Sequence, residues 1–257
     1  MILVLDIGNT NIKCGLFEKG ELIHSFRMET NIDATSDEYG IKMVSFFKYL
    51  NLDVSVVKGI IVASVIPSIN FTIEHMLKFY FNIQPQFVGP GMKTGINIKT
   101  ENPKELGADI IVSAVACYEM FGGPCITIDF GTATTYGVTN RQGDFLGVAI
   151  SPGVKIVSEA LTTNAAKLPR VELNFPPSVI GKNTETCMQS GLLYGYVGQI
   201  EYIVNKIKSE IGDAIVVATG GFGQIFAKKT NVIDKVVPTL TLIGLNKIYE
   251  KNHKTGE

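Results

Sequence analysis

A short pattern of an apolar run, an aspartate and a glycine occurs twice in this chain, and this repeat constrains the fold most strongly. The first copy ends at Asp6 and Gly8, and the second ends at Asp129 and Gly131, 123 residues further on. In both copies another glycine lies 14 residues after the aspartate and is followed by an acidic and an apolar residue. The offset superimposes a strand, a turn and a second strand. Such a repeat predicts a duplicated nucleotide-binding half-domain and indicates phosphate chemistry.

Length and composition are consistent with this duplication. A chain of 257 residues can form one large domain or two of ordinary size. The repeat favours two, over residues 1–122 and 123–257, because Gly122-Gly123-Pro124 ends the preceding helical pattern. Apolar residues make up 46% of the chain and charged residues 18%, which is ample material for buried sheets.

Charge, hydropathy and cysteine usage argue against several classes of protein. The net charge is −1 without a basic block, so nucleic-acid binding has little electrostatic support. The N terminus begins directly in a strand without the regions of a signal peptide, and the apolar segment 60–66 is too short to span a bilayer. The four cysteines form no CxxC pair and no ligand-like group with the three histidines. We therefore expect a cytoplasmic protein with reduced thiols, without a structural zinc site, that binds neither nucleic acid nor membranes.

Short β-rich runs alternate with helical runs in both halves, which predicts an α/β fold throughout. The first half is predicted to contain strands over 2–6, 12–17, 21–28, 59–65 and 86–88, and helices from a capping box at Thr35 and Glu38 to about Leu50, over 69–81 and from Gly107 onwards. The second half is predicted to contain strands over 125–130, 134–139, 144–150 and 215–218, a helix ending before Pro169, a polar loop over 170–189 and a long helix stopped by Gly212. A last helix over about 240–250 could pack on either half.

The turn after Asp6 has the residue types of a phosphate site. Gly8 permits close approach of a phosphate, and the turn can aim several backbone amides at one point. Thr10 and Asn11 add side-chain donors, Lys13 adds a cation, and Asp6 suits a metal ion or its water shell. A plain β-hairpin with favourable turn residues is the alternative, and it would be preferred for an isolated copy. The second copy favours function.

The second copy offers hydroxyl groups where the first offers amides and a lysine. Asp129 could hold a cation, and Thr132 could donate to phosphate oxygens. High strand propensity explains Thr134 and Thr135 well. It explains Asp129 before Gly131 poorly. Two such hairpins facing across a cleft would clamp a polyphosphate from both sides.

Two further features are weaker signals when taken alone. Thr219-Gly220-Gly221-Phe222-Gly223 is a glycine-rich turn between a strand and a helix, which can approach a base or ribose. It lacks the dinucleotide GxGxxG pattern, and no Walker A spacing occurs in the chain. Asp109, at the start of its predicted helix, is either an ordinary first-turn acid or the general base for a substrate hydroxyl.

The order of several motifs resembles that of the type III pantothenate kinases, over nearly the whole chain. The motifs are Asp6-Ile7-Gly8-Asn9-Thr10-Asn11-Ile12-Lys13, Gly107-Ala108-Asp109, Asp129-Phe130-Gly131-Thr132-Ala133-Thr134-Thr135, Ile150-Ser151-Pro152-Gly153 with Leu168-Pro169, Ile180-Gly181-Lys182-Asn183-Thr184, and Gly220-Gly221. This family belongs to the acetate and sugar kinase, Hsp70 and actin superfamily. The resemblance implies two ribonuclease-H-like (actin-like ATPase) domains with a cleft between them.

The resemblance also implies an activity and a role for each motif. The activity is ATP-dependent phosphorylation of pantothenate to 4′-phosphopantothenate, the first step of coenzyme A biosynthesis. Residues 6–13 and Thr132 would bind the ATP phosphates together with Mg²⁺, and Gly220-Gly221 the adenosine. Asp129 would coordinate the K⁺ or NH₄⁺ ion that the family requires, and Asp109 would accept the proton of pantothenate. Thr184 would contact pantothenate from the partner subunit of a homodimer.

Two positions depart from the family pattern. Ile110 follows Asp109 where the family usually has arginine, and Thr100 stands where a tyrosine is common. Loss of the arginine removes a fixed cation that could hold the pantothenate carboxylate or the transferring phosphate. Two alternatives therefore stay open: a kinase of the same fold that acts on another small alcohol, and a nucleotide-binding regulatory protein with weakened catalysis.

Overall fold

The computed structural model describes residues 1–253 and divides into two compact units. The first unit consists of residues 1–97, 101–119 and 239–253. The second consists of residues 98–100 and 120–238. The C-terminal segment thus belongs to the first unit, whereas the repeat in the sequence placed it in the second half.

Strands and helices alternate along the chain. The strands are β1 (Ile2–Ile7), β2 (Asn11–Glu18), β3 (Glu21–Glu29), β4 (Gly59–Ser64), β5 (Gln86–Phe87), β6 (Asn97–Ile98), β7 (Cys125–Phe130), β8 (Ala133–Thr139), β9 (Asp144–Pro152), β10 (Ile215–Gly220) and β11 (Lys235–Val236). The helices are α1 (Ser36–Tyr49), α2 (Pro67–Phe81), α3 (Ala108–Phe121), α4 (Val154–Asn164), α5 (Thr184–Ile211), α6 (Gly223–Ala227) and α7 (Leu240–His253).

The two sheets share one topology. The first has the order β3-β2-β1-β4-β5, and the second has β9-β8-β7-β10-β11 with β6 added beside β9. In each, three antiparallel strands are followed by two parallel ones. This shared strand order is what a duplicated half-domain would leave.

Both faces of the first sheet are covered. Leu3, Leu5 and Ile7 of β1 lie in a core cluster with residues of α1 and α2. Alternate side chains point to the opposite face, where Val4 and Leu242 lie close to the backbone of Gly15 on β2. Helix α7 therefore packs on the second face, and Asp6, which alternates with Leu5 and Ile7, faces it.

The second unit has its core between its sheet and α5. Ile126, Ile128 and Phe130 of β7 pack with Tyr196 and other residues of α5. Phe226 of α6 is fully buried in the same cluster. The long helix expected from the amphipathic pattern is confirmed, as is its stop at Gly212.

Local signals predicted most element boundaries. The capping box of Thr35 and Glu38 is confirmed at the start of α1, and β4 is buried over almost its whole length. One boundary was wrong: α5 begins at Thr184, inside the predicted 170–189 loop. Asn183 and Thr186 form a capping box there, which satisfies the first amides of the helix.

Among residues 1–253, no helix combines the length and the apolar character needed to cross a membrane.

Candidate active site

The first hairpin holds an ion pair between its two strands. Asp6 on β1 is paired in register with Lys13 on β2. Lys13 Nζ lies 3.1 Å from Asp6 Oδ2. Asp6 is only 4% exposed, and a buried carboxylate requires such partners because its desolvation is costly.

The turn between these strands is held by its own backbone and by Thr30, the residue after β3. The Gly8 amide donates to the Asn11 carbonyl at 3.1 Å, so this amide closes the turn rather than facing a ligand. Thr30 Oγ1 donates to the Gly8 carbonyl at 2.7 Å, and the Thr30 amide donates to Thr10 O at 3.0 Å. Thr30 therefore supports the turn, which a search for local motifs could not show.

The residues of this hairpin divide into supporting and accessible ones. Ile7 and Ile12 are fully buried in the core, so their side chains anchor the loop. Asn9, Thr10 and Asn11 are exposed at its tip. Side chains can reach a ligand from these three positions and from Lys13, whose side chain is 24% exposed.

A second partner of Asp6 comes from the far end of the chain. Thr241, in the first turn of α7, donates from Oγ1 to Asp6 Oδ2 at 2.7 Å. Thr241 is 1% exposed. Sequence analysis missed this residue because 235 positions separate it from Asp6 and no local motif surrounds it.

Asp109 lies in the first turn of α3, as predicted, in the same unit as Asp6 and Lys13. Its Oδ1 accepts the Ile110 amide at 2.9 Å. A Cβ on Gly107, two residues earlier, would lie 2.4 Å from this oxygen, so glycine leaves room for the carboxylate in this orientation. Ala108 and Ile110, like Asp109, are partly exposed.

The environment of Asp109 opposes its ionisation. Desolvation by burial raises the pKa of this carboxyl most, and the negative charge of Asp6 raises it further. The backbone hydrogen bond from Ile110 and the charge of Lys13 offset part of the rise. A carboxylate with a raised pKa is a stronger proton acceptor, which is the property that general-base catalysis requires.

The second hairpin has the same start but a shorter turn. Asp129 on β7 pairs in register with Thr135 on β8, so an uncharged residue takes the place that Lys13 has in the first hairpin. The Gly131 amide donates to Ala133 O at 3.1 Å. Thr132 is exposed at the tip, where its hydroxyl can reach a ligand.

The motif of Pro152 and Gly153 supports this second turn. The Gly153 amide donates to Thr132 O at 2.9 Å, and a Cβ on Gly153 would collide with the carbonyls of Gly131 and Thr132. Tyr196 of α5 places its hydroxyl 2.9 Å from Thr134 Oγ1 and donates to the Pro152 carbonyl. The turn is thus tied to the helix behind it.

Gly220 brings the end of β10 against Asp129. Its φ is +83°, and a Cβ would lie 2.5 Å from Asp129 Oδ1 and 2.6 Å from the Phe130 carbonyl. Thr219 pairs in register with Asp129. In the described part of the chain, Thr219 Oγ1 is buried without a hydrogen-bond partner. Gly221 is exposed, and its amide donates to Phe130 O at 3.2 Å.

Two other predicted positions, Thr184 and Thr100, belong to the second unit. Thr184 is the exposed first residue of α5 in the second unit. Thr100 is partly buried, and over residues 1–253 its hydroxyl has no hydrogen-bond partner. Within residues 1–253, no three His, Cys, Asp or Glu side chains are grouped to hold a metal ion.

Comparison with known proteins identifies the family. A sequence profile of the type III pantothenate kinases matches residues 2–206. The chain belongs to the type III pantothenate kinase family. It is therefore a phosphotransferase, and the predicted family and enzyme class are confirmed.

Solved structures confirm the fold class. A Campylobacter jejuni protein described as a Baf family transcriptional activator is 20% identical, with a TM-score of 0.62 over 97% of this chain and 98% of its own. A Sinorhizobium meliloti protein described as a 2-dehydro-3-deoxygalactonokinase is 10% identical, with a TM-score of 0.61 over 100% and 98%. A Listeria monocytogenes protein described as an N-acetylmannosamine kinase is 12% identical, with a TM-score of 0.53 over 99% of both chains. At these identities the similarity establishes the actin-like, sugar-kinase fold alone.

Proposed function

We propose that this kinase transfers the γ-phosphoryl group of ATP to the 4′-hydroxyl of pantothenate, giving 4′-phosphopantothenate for coenzyme A biosynthesis. The observation that carries the proposal is the carboxylate of Asp109, whose pKa is raised, in the same unit as the ion pair of Asp6 and Lys13. Membership of the type III pantothenate kinase family implies pantothenate as the substrate.

In the first unit, Asp109, Lys13 and residues 9–11 have separate roles in this reaction. Asp109 accepts the hydroxyl proton while the alcohol oxygen bonds to the γ-phosphorus and the bond to ADP breaks. Lys13 and the loop tip of residues 9–11 bind the phosphates and neutralise their charge. Phosphoryl transfer depends mainly on such positioning and charge stabilisation. In the second unit we assign Thr132 to the phosphates and Gly220-Gly221 to the adenosine.

Magnesium fits the first hairpin. Mg²⁺ is usually bound through one or two carboxylates, substrate phosphates and several waters, and the Asp6 carboxylate can supply one such ligand. Asp6 would hold the ion or its water shell, and Lys13 and Thr241 would orient its carboxylate through their hydrogen bonds to Oδ2. When bound, the ion neutralises charge on the phosphate oxygens.

A monovalent cation fits the second unit. Asp129 Oδ1 and the Phe130 carbonyl both border the space that a Cβ on Gly220 would fill. Thr219 is paired in register with Asp129, and its hydroxyl has no hydrogen-bond partner among residues 1–253. Carboxylate, carbonyl and hydroxyl oxygens suit K⁺ or NH₄⁺, and we assign this ion to Asp129.

We also propose a homodimer formed through one face of α5. Gly191, Gly195 and Gly198 are exposed on this face, and a Cβ on any of them would meet no atom within 4 Å. Thr184 and Tyr202 follow the same helical spacing and are exposed. Small residues allow a second helix to approach closely, and Thr184 of that copy would then contact pantothenate. Cys14 and Cys187, which form no disulfide, support a reducing, cytoplasmic location.

The test is release of ADP by the purified protein with ATP and Mg²⁺, with and without pantothenate and K⁺. We expect release only when pantothenate is present, stimulation by K⁺, and a phosphate monoester on the 4′-oxygen by ³¹P NMR. Binding of ATP without pantothenate-dependent ADP release at any K⁺ concentration would contradict the proposal and favour the regulatory alternative.

Ile110 favours the alternative in which the kinase phosphorylates another small alcohol. An apolar side chain next to Asp109 offers no cation for the pantothenate carboxylate. The same assay with pantothenate amides and small polyols distinguishes another alcohol as the acceptor. A strong gain of activity in Ile110→Arg would indicate weakened catalysis in the parent.

A further inference from the structure

The C-terminal helix α7 contributes directly to the candidate active site. Thr241 is buried in its first turn, and its hydroxyl donates to Asp6 Oδ2 at 2.7 Å. The family profile ends at residue 206, so the matched region does not include this helix. Nothing in the local sequence of α7 indicates a role in phosphate chemistry.

Thr241 and Lys13 hold the same oxygen of Asp6 in different ways. Lys13 Nζ lies at 3.1 Å on a long side chain that is 24% exposed, so solvent competes for it. The Thr241 side chain is short, β-branched and buried, with one strongly restricted torsion. Thr241 is therefore the more rigid of the two partners.

The same helix also sets the position of α3. A Cβ on Gly244 would collide with the backbone carbonyl of Val112 on α3, so the two helices touch at their backbones. Asp109 lies in the first turn of α3. Helix α7 thus contacts both the Asp6 carboxylate and the helix that carries Asp109.

We propose that Thr241 is a positioning residue that holds Asp6 in the orientation needed to bind the magnesium–nucleotide complex. This inference rests on the proposed function for the nucleotide, but not on the identity of the acceptor alcohol. It assigns a part of the site to a segment that the family profile does not cover.

The test compares Thr241→Val, which keeps the shape but removes the hydroxyl, with Thr241→Ser, which keeps the hydroxyl. The dissociation constant of Mg-ATP is measured by calorimetry without any acceptor alcohol, over a range of Mg²⁺ concentrations. One hydrogen bond to a charged group corresponds to roughly a tenfold or larger change in affinity. We expect Thr241→Val to bind at least about tenfold more weakly, with the loss reduced by excess Mg²⁺, and Thr241→Ser to bind like the parent. Thr72→Val, on α2 of the same unit, is the matched control.

A double mutant separates the proposed role of Thr241 from a merely structural one. If Thr241 acts through Asp6, Thr241→Val should cause little further loss in an Asp6→Asn background, because the two residues act through one contact. Equal additive losses in both backgrounds, or parent-like binding by Thr241→Val, would overturn the inference. If Thr241→Val fails to fold, Thr241→Ala provides the same comparison with Thr241→Ser.

The outcomes for the inference and for the proposed function are separable. A parent that binds Mg-ATP but does not phosphorylate pantothenate contradicts the proposed substrate, while the comparison at Thr241 still decides the inference. A parent that does not bind Mg-ATP overturns both.

Discussion

The two aspartate hairpins start alike and differ in the residue that faces each carboxylate. Asp6 is opposite Lys13, which forms an ion pair with it. Asp129 is opposite Thr135, which carries no charge, and its Oδ1 lies beside Gly220 instead. One duplicated pattern has therefore produced a charge-compensated site in the first unit and an oxygen-lined site in the second.

The difference arises from turn length. Residues 8–11 separate the paired ends of β1 and β2, whereas 131–133 separate those of β7 and β8. At the 123-residue offset Lys13 aligns with Tyr136, but the shorter turn places Thr135 opposite Asp129 and Tyr136 in the core. A shift of one residue moves every side chain of a strand to the other face. Sequence superposition alone thus identifies the wrong counterpart of Lys13.

Asp109→Asn is expected to have the largest effect, because it tests whether the first unit carries the chemistry. Losing a general base typically lowers turnover by about 100-fold or more, and the nucleotide contacts remain. Steady-state kinetics should show this fall in kcat with Mg-ATP affinity unchanged. Asp33→Asn, at an exposed position of the same unit, is the control. Turnover equal to that of the parent would exclude Asp109 as the base.

Lys13→Met tests the charge difference between the hairpins directly. Loss of a charged hydrogen-bond donor to phosphate should lower kcat/KM for ATP by roughly 10- to 100-fold. Since the charge of Lys13 lowers the pKa of Asp109, the acidic limb of the pH–rate profile should also move to higher pH. Thr135→Val, at the corresponding position of the second hairpin, should change either quantity by no more than about twofold. Similar losses in both variants would remove the distinction between the hairpins.

Gly220→Ala tests the oxygen-lined site of the second unit. The left-handed backbone alone costs about 1–2 kcal/mol for a residue with a Cβ, and the contact with Asp129 adds to this. We expect a fall in Tm of at least about 2–4 °C and a weaker response of activity to K⁺. Gly212→Ala is the matched control, because Gly212 has the same φ of +83° and its Cβ would meet no atom within 4 Å. Unchanged K⁺ activation in Gly220→Ala would contradict the cation site.

Features encoded locally were predictable, and features that depend on distant contacts were not. The pattern around Asp6, the capping box at Thr35 and the stop at Gly212 each lie within a few residues, so their chemistry is visible in the sequence. Thr241 reaches Asp6 only because α7 returns to the first sheet, and its helical periodicity is compatible with packing on either unit. The start of α5 was missed because Asn183 and Thr186 form a capping box within a polar loop.

The smallest effect we expect concerns the stability of Asp109→Asn. The raised pKa means that the folded protein holds the Asp109 proton to higher pH than the unfolded chain does. The contribution of Asp109 to the free energy of unfolding is therefore greatest below its unfolded pKa of about 3.9. This contribution falls as pH rises through the raised pKa of the folded protein and stays low at higher pH. Asparagine removes this cost at neutral pH, so the variant should melt higher, by about 2–4 °C for each kcal/mol relieved.

Thermal melts at pH 7.5 and at pH 5, without nucleotide, measure this effect. The gain in Tm should be larger at pH 7.5, where the parent carboxylate is ionised more fully beside Asp6. Asp33→Asn, at an exposed position of the same unit, is the control. A lower Tm for Asp109→Asn at pH 7.5 would mean that the Asp109 carboxylate stabilises the fold. Its hydrogen bond with the Ile110 amide and its attraction to the charge of Lys13 would then outweigh desolvation and the repulsion from Asp6.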